Sequence, residues 1–148
     1  MTIEKIKRML DACYQAKRIR ELLPALPKGV APSYIHYLDV IRALEKKEVQ
    51  VKISDISDEL KLPRPGVTRT VKEMEEKGYI KKTVSLEDGR IIYLSATEKG
   101  KKLSEKYNEK YFSELAPYLA DISEEEADCM IAVIEKFYQV MCERRDEE

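Results

Sequence analysis

Between Ile53 and Ser95 the apolar residues change their spacing from helical to alternating within a short span, and few folds accommodate that order. A short helix is expected first, with Ile56 and Leu60 on its apolar side, Ile53 leading in and Ser54 as its cap. Lys61-Leu62-Pro63 then makes a tight turn. A second helix begins at about Arg64 or Pro65, where proline is tolerated in a first turn, and buries Val67, Val71 and Met74. Gly78 ends it, as the usual left-handed residue past a helix. From Tyr79 to Val84 and from Arg90 to Ser95, β-branched and aromatic residues alternate, and Asp88-Gly89 between them is a hairpin turn signal.

Helix, tight turn, helix and hairpin in that order are the elements of a winged helix-turn-helix, whose second helix enters the major groove of DNA. With the buried stripe centred on Val67, Val71 and Met74, a helical wheel places Pro65, Arg69, Lys72 and Glu76 at the opposite pole. Gly66, Thr68 and Glu73 flank it. The face offers a guanidinium for a guanine edge or a phosphate, a lysine for phosphate and a hydroxyl for either, and Gly66 permits close backbone approach. Charges on an exposed helix usually do no more than solvate it. Here the acidic residues Glu73, Glu75 and Glu76 all fall in the C-terminal half, so the end that would meet bases, including Arg64, is basic and small.

The stretch Ile53–Leu103 resembles the DNA-binding core of the MarR (multiple antibiotic resistance regulator) family. The resemblance is carried by Val67-Thr68-Arg69, Glu76-Lys77-Gly78-Tyr79-Ile80, Asp88-Gly89-Arg90 and Thr97-Glu98-Lys99-Gly100, in that order and at that spacing. It implies that Thr68 and Arg69 face the major groove and that Arg90 at the wing tip reaches the minor groove, held by Asp88 through a charge-assisted hydrogen bond. One departure is Pro63, which stands where the family usually has a small hydroxyl residue that caps the recognition helix. The implied architecture is mainly α with a small β-hairpin wing. Residues 33–96 form the winged helix-turn-helix and residues 1–32 and 97–148 the dimerisation helices.

The flanking segments agree with that plan. Residues 2–23 place Ile3, Ile6, Leu10, Cys13, Ile19 and Leu22 near helical spacing before Pro24 and Pro27 stop the helix. A second helix is expected from Ser33, as N-cap, to Lys47, followed by a short strand over 49–53. Thr97 caps a long helix to about Ala116, and Ser123 and Glu126 make a capping box for a last one. The first and last helices show more apolar surface than a small core covers, and in the resembling family they interlock between two subunits. The expected partner is then double-stranded DNA carrying a near-palindromic operator, with half-sites roughly 34–36 Å apart, bound by a homodimer.

The net charge of −1 hides an asymmetry. The first 51 residues hold ten Lys/Arg against six Asp/Glu, residues 52–102 twelve against nine, and the remainder five against thirteen. One region attracts phosphate and another repels it. With one histidine, His36, and no glycine-rich phosphate loop, no enzyme constellation is present, and His36 is expected to pack half-buried on the second helix. Cys13, Cys129 and Cys142 have no metal-ligand spacing, so neither metal nor cofactor is expected; Cys13 is read as a small buried hydrophobe, although a branch of the resembling family senses hydroperoxide with a cysteine near its first helix. The charged start and the lack of a long apolar run indicate a cytoplasmic protein with no membrane segment. Tyr14, Tyr34, Tyr37, Tyr107 and Tyr111 are candidates for a pocket that takes a small aromatic effector, as members of the resembling family do, though aromatics at helical spacing more often form core. The competing reading of the whole chain is a winged helix that docks onto protein, which salt dependence would separate from DNA binding.

Overall fold

In the computed structural model, which describes residues 1–146, the chain is α1 (Ile3–Glu21), α2 (Pro32–Lys46), α3 (Ile53–Leu60), α4 (Arg64–Glu76), the hairpin β1 (Ile80–Val84) and β2 (Ile92–Ala96), and then α5 (Glu98–Ser104), α6 (Tyr111–Leu115) and α7 (Glu124–Asp146). A π-helical stretch, Glu105–Lys110, precedes α6 and a 3₁₀ turn, Ala116–Leu119, follows it. The chain divides into two compact units, Met1–Asn108 and Glu109–Glu148. The expected architecture, mainly α with a hairpin wing, is the one found.

The core of the first unit is built from the apolar sides of α2, α3 and α4 closed over by the hairpin and α5. Leu38 and Ile41 of α2, Ile56 of α3, and Val67, Val71 and Met74 of α4 are fully buried, with Ile80, Leu94, Ala96 and Leu103 packed around them. The recognition-helix stripe read from spacing is therefore the buried one. The hairpin pairs Ile80 with Ala96 through Val84 with Ile92.

Several local expectations are corrected. The strand over 49–53 is a single bridge, Val51 to Leu94, with the Leu94 N–H donating to the Val51 carbonyl at 2.8 Å. It goes no further because α3 starts at Ile53: the Asp55 carboxylate accepts from the Lys52 N–H at 2.7 Å, so Lys52 and not Ser54 is the cap position. Likewise α2 is entered at Ala31 as N-cap with Pro32 in its first turn, two residues before the expected cap Ser33. The connection expected over Ser85–Gly89 runs on to Ile91, because β2 starts at Ile92, and it keeps a turn at Asp88-Gly89, where the Ile91 N–H bonds the Asp88 carbonyl at 3.0 Å. The single helix expected over 97–116 is interrupted by the π-helical stretch, whose sequence EKYNEK holds no proline or glycine to signal it. Pro117 lies in the first turn of the 3₁₀ segment, where its missing N–H is tolerated. The capping box of α7 forms as expected, Ser123 N–H to Glu126 at 2.9 Å and Glu126 N–H to Ser123 Oγ at 3.1 Å.

Neither α1 nor α7 buries a single residue. Ile3, Ile6, Leu10 and Ile19 of α1 are exposed, as are Ile131, Ile134 and Tyr138 of α7. Cys13 is exposed with Cys129 and Cys142, and His36 is exposed too, against the buried and half-buried positions expected of Cys13 and His36. Both residues sit on helix faces that this single chain leaves uncovered. No helix among the described residues is long and apolar enough to cross a membrane.

Candidate nucleic-acid interface

The tight turn before α4 depends on two side-chain-independent features and one hydroxyl. Lys61 adopts the left-handed conformation (φ 52°), the Leu62 N–H returns to the Ser57 carbonyl at 3.0 Å, and the buried Ser57 hydroxyl donates to the Leu62 carbonyl. Pro63 then occupies the N-cap of α4 with no side-chain hydrogen bond, and the Val67 N–H closes the first turn on its carbonyl at 3.2 Å. Burial of Val67, Val71 and Met74 sets the rotation of α4, which leaves Arg64, Pro65, Thr68, Arg69 and Lys72 exposed. A Cβ at Gly66 would meet nothing within 4 Å, so that position is open to an approaching molecule. The Thr68 hydroxyl donates to the Arg64 carbonyl at 2.9 Å, which leaves its oxygen as an acceptor toward the outside.

Two of the three carboxylates of α4, Glu73 and Glu75, have partners elsewhere in the fold, and Glu76 is exposed in its last turn. Glu73 accepts from the Tyr34 hydroxyl at 3.1 Å. Lys77 donates to the same hydroxyl at 3.0 Å and to the Gly29 carbonyl at 2.6 Å, and the bond to Tyr34 holds its ammonium above the ordinary lysine range. Glu75 pairs with Lys82 of β1 at 3.4 Å. None of these pairings was legible in sequence, because Tyr34 lies 39 residues from Glu73 and 43 from Lys77.

The C-terminal end of α4 is joined to α5 by the two motifs that carried much of the resemblance. Gly78 is left-handed (φ 82°); its N–H bonds the Glu75 carbonyl at 3.0 Å and the Tyr79 N–H bonds Met74 at 2.9 Å, a Schellman ending. Thr97, the N-cap of α5, donates to the Gly78 carbonyl at 2.6 Å and accepts from the Gly100 N–H at 3.1 Å. Lys99 donates to the Lys77 carbonyl at 2.7 Å and lies 4.4 Å from the centre of the Tyr79 ring. Gly100 sits so close to Tyr79 that a Cβ there would come within 2.1 Å of its carbonyl oxygen. These residues position the recognition helix and wing rather than reach outward.

At the wing, Asp88 holds Arg90 by three bonds: the Arg90 N–H at 3.0 Å, Nε at 3.2 Å and Nη2 at 3.3 Å. The Arg90 side chain is nonetheless 90% exposed. The guanidinium, and then the backbone N–H of Arg90, hold the Asp88 carboxyl below the ordinary carboxylate range. Of the tyrosines, Tyr34 and Tyr37 are buried in the core, Tyr107 packs half-buried against it, Tyr14 is exposed on α1, and Tyr111 belongs to the second unit.

A family model for the MarR family matches residues 28–91, from the Gly29 turn through the wing. The HTH-type transcriptional repressor MdtR of Bacillus subtilis (strain 168) is 31% identical over 122 residues, covering 82% of this chain and 76% of that protein. Among solved structures, Streptococcus pneumoniae FabT in complex with DNA is similar with a TM-score of 0.67 and 25% identity, over 96% of this chain and 99% of the other. The S. aureus MepR–DNA complex shares the fold at a TM-score of 0.61 and 21% identity, over 95% and 99%. The winged arrangement of α3, α4 and hairpin, the family model laid across it and a relative matched over three quarters of its length together make this chain a member of the MarR family of transcriptional regulators.

Proposed function

We propose that the protein is a cytoplasmic repressor that binds a near-palindromic double-stranded operator as a homodimer, with α4 in the major groove and the wing in the adjacent minor groove. The observation that carries this reading is the division of charge on α4. Arg69 and Lys72 stand exposed on the pole opposite the buried stripe and Arg64 is exposed at the N-terminal end, while Glu73 and Glu75 of the same helix are engaged by Tyr34 and Lys82 and Glu76 lies in the last turn, away from that end. Phosphate near the N-terminal half of the helix therefore meets cations with no carboxylate among them. Arg69 has the reach for a bidentate contact to a guanine edge, Thr68 offers an acceptor or a methyl, Gly66 and Pro65 keep the approach free, and Lys72 and Arg64 supply phosphate contacts. Arg90, oriented by Asp88, suits the narrow minor groove and its negative potential.

The homodimer reading is supported by α1 and α7, which bury nothing in one chain. Their charges are complementary: α1 has six Lys/Arg against three Asp/Glu, and α7 three against seven. The MdtR relative is a transcriptional repressor, and the FabT and MepR structures are complexes with DNA, which supports the same direction here. S. aureus MepR is also known bound to ethidium bromide, which fits the reading of a small aromatic effector. With Tyr34 and Tyr37 committed to the core, the half-buried Tyr107 is the tyrosine on which that role is tested, and loss of effector-induced operator release in Tyr107→Ala is its check.

The decisive experiment is equilibrium binding of Arg69→Ala, Lys72→Ala and Arg90→Ala to an operator recovered by selection from random duplexes, to its single-base variants and to unrelated DNA, over a salt series. Arg69→Ala should lose about 1–3 kcal/mol and relax preference at one position per half-site. Lys72→Ala should weaken all duplexes alike, and Arg90→Ala should weaken binding with a shallower salt slope. Folded, dimeric variants that all bind as the parent does would transfer the surface to protein docking.

A further inference from the structure

The hairpin stays apolar beyond the point where the core covers it. Ile80, Lys82 and Val84 share one face of β1 and pair with Ala96, Leu94 and Ile92 of β2. Ile80, Leu94 and Ala96 are buried, whereas Val84 and Ile92, directly opposite each other at the far end, are 54% and 38% exposed. Two residues on, Leu86 is 104% exposed, so it touches nothing of its own chain. Its loop is nevertheless well tied. The Ser85 N–H bonds the Ile91 carbonyl at 2.9 Å, the Ile91 N–H bonds Asp88 at 3.0 Å, and Ser85 Oγ accepts from the N–H groups of Glu87 and Asp88, each at 3.3 Å. Arg90 belongs to the same loop and is fastened to Asp88.

A lone exposed leucine is ordinary on a protein surface. Here the leucine stands in a tied loop, two residues beyond the exposed Val84–Ile92 pair, and the same loop carries an oriented guanidinium. A stable protein partner needs on the order of 1,000 Å² of buried surface or more, which these few side chains do not supply. The minor groove of a duplex fits better: it is about 6 Å wide, its walls are the C–H surfaces of deoxyribose and its floor carries the negative potential that draws arginine. Apolar side chains entering that groove beside cations are a recurrent means of binding it.

We infer that Leu86, in the tied loop beyond the Val84–Ile92 pair, is a second DNA-contacting element of the wing, packing on the sugar walls of the minor groove that Arg90 enters. This rests on the reading of the wing as a DNA surface and adds to it a non-ionic, sequence-independent contribution. Because the contact is apolar, it releases no counterions, and its loss leaves the salt slope as it was.

The test uses the full-length dimer with Leu86→Ser, Leu86→Met and Arg90→Ala, each titrated with operator and unrelated duplex over a salt series. Leu86→Ser should fold with parental stability, since the side chain touches nothing, and should bind both duplexes on the order of tenfold more weakly with an unchanged slope. Leu86→Met should restore most of the affinity. Parental binding by Leu86→Ser alongside weakened Arg90→Ala overturns the leucine contact and leaves the wing reading intact. Loss of affinity in Leu86→Ser with a shallower slope also overturns it, because the serine would then act by displacing Arg90. If Arg69→Ala and Arg90→Ala are silent as well, the DNA surface itself is misassigned, and a protein partner becomes the occupant of the apolar patch.

Discussion

Gly100 has no room for a side chain. A Cβ built there falls 2.1 Å from the Tyr79 carbonyl oxygen and 3.2 Å from Leu38, so backbone rather than a flexible side-chain end is in the way. Gly100→Ala should therefore cost about 2–3 kcal/mol, as overpacking at a backbone contact does, read as a shift in denaturant midpoint at constant slope. Gly66 is the opposite case: its surroundings within the chain are empty. Gly66→Ala should raise stability by about 0.5–1 kcal/mol through helix propensity while weakening operator binding, and a variant that gains in both would show that no backbone approaches there. Asp88 adds a pH statement. Its folded carboxyl is held below its ordinary value, so the pairing with Arg90 is fully present above that value and is lost only as pH falls through the depressed one. Carbon-detected titration should find Asp88 below about 3.9, and Arg90→Ala should raise it toward that figure without reaching it, because the N–H of residue 90 still donates to the carboxylate.

Among the elements, α4 is held at both ends by residues distant in sequence. Its N-terminal side follows a turn closed by Ser57, and its C-terminal side is gripped through Tyr34, Lys77, Gly78 and Thr97. The Tyr34 hydroxyl is the shared atom of this grip, donating to Glu73 and accepting from Lys77. Tyr34→Phe keeps the buried ring and removes only that oxygen, so thermal unfolding should show a loss of about 1 kcal/mol. It should also release Glu73 toward the DNA face and weaken operator binding although Tyr34 itself is buried away from any ligand. Unaltered DNA affinity in Tyr34→Phe would mean that the carboxylate stays off the face without help.

At the scale of the whole molecule, two long helices lack a core. α1 and α7 carry exposed isoleucine, leucine, methionine and tyrosine along their lengths, and neither helix has a buried residue. The expected outcome is an obligate homodimer whose melting temperature rises with protein concentration. Sedimentation equilibrium is the direct check, and a folded monomer at all concentrations would remove the two-half-site geometry as well.

Local spacing was sufficient for the order of elements, the rotation of α4 about its axis and the caps at Thr97 and Ser123, because these depend on residues within a few positions of one another. The same locality explains the Asp88–Arg90 bond, two residues apart. What spacing did not reach was everything decided by competition between segments. The expected strand at 49–53 shrank to one bridge because α3 claimed Ile53, and the loop expected over 85–89 runs on to Ile91, tied through Ser85. The burial of Tyr34, the hydrogen bond that engages Glu73 and the reason for Gly100 appeared only once α2, α4 and α5 were packed, since each rests on an atom contributed from more than twenty residues away. A chain's sequence states which faces are apolar; only packing states which of them find cover, and here it buried no residue of α1 or α7 and left the end of the wing exposed.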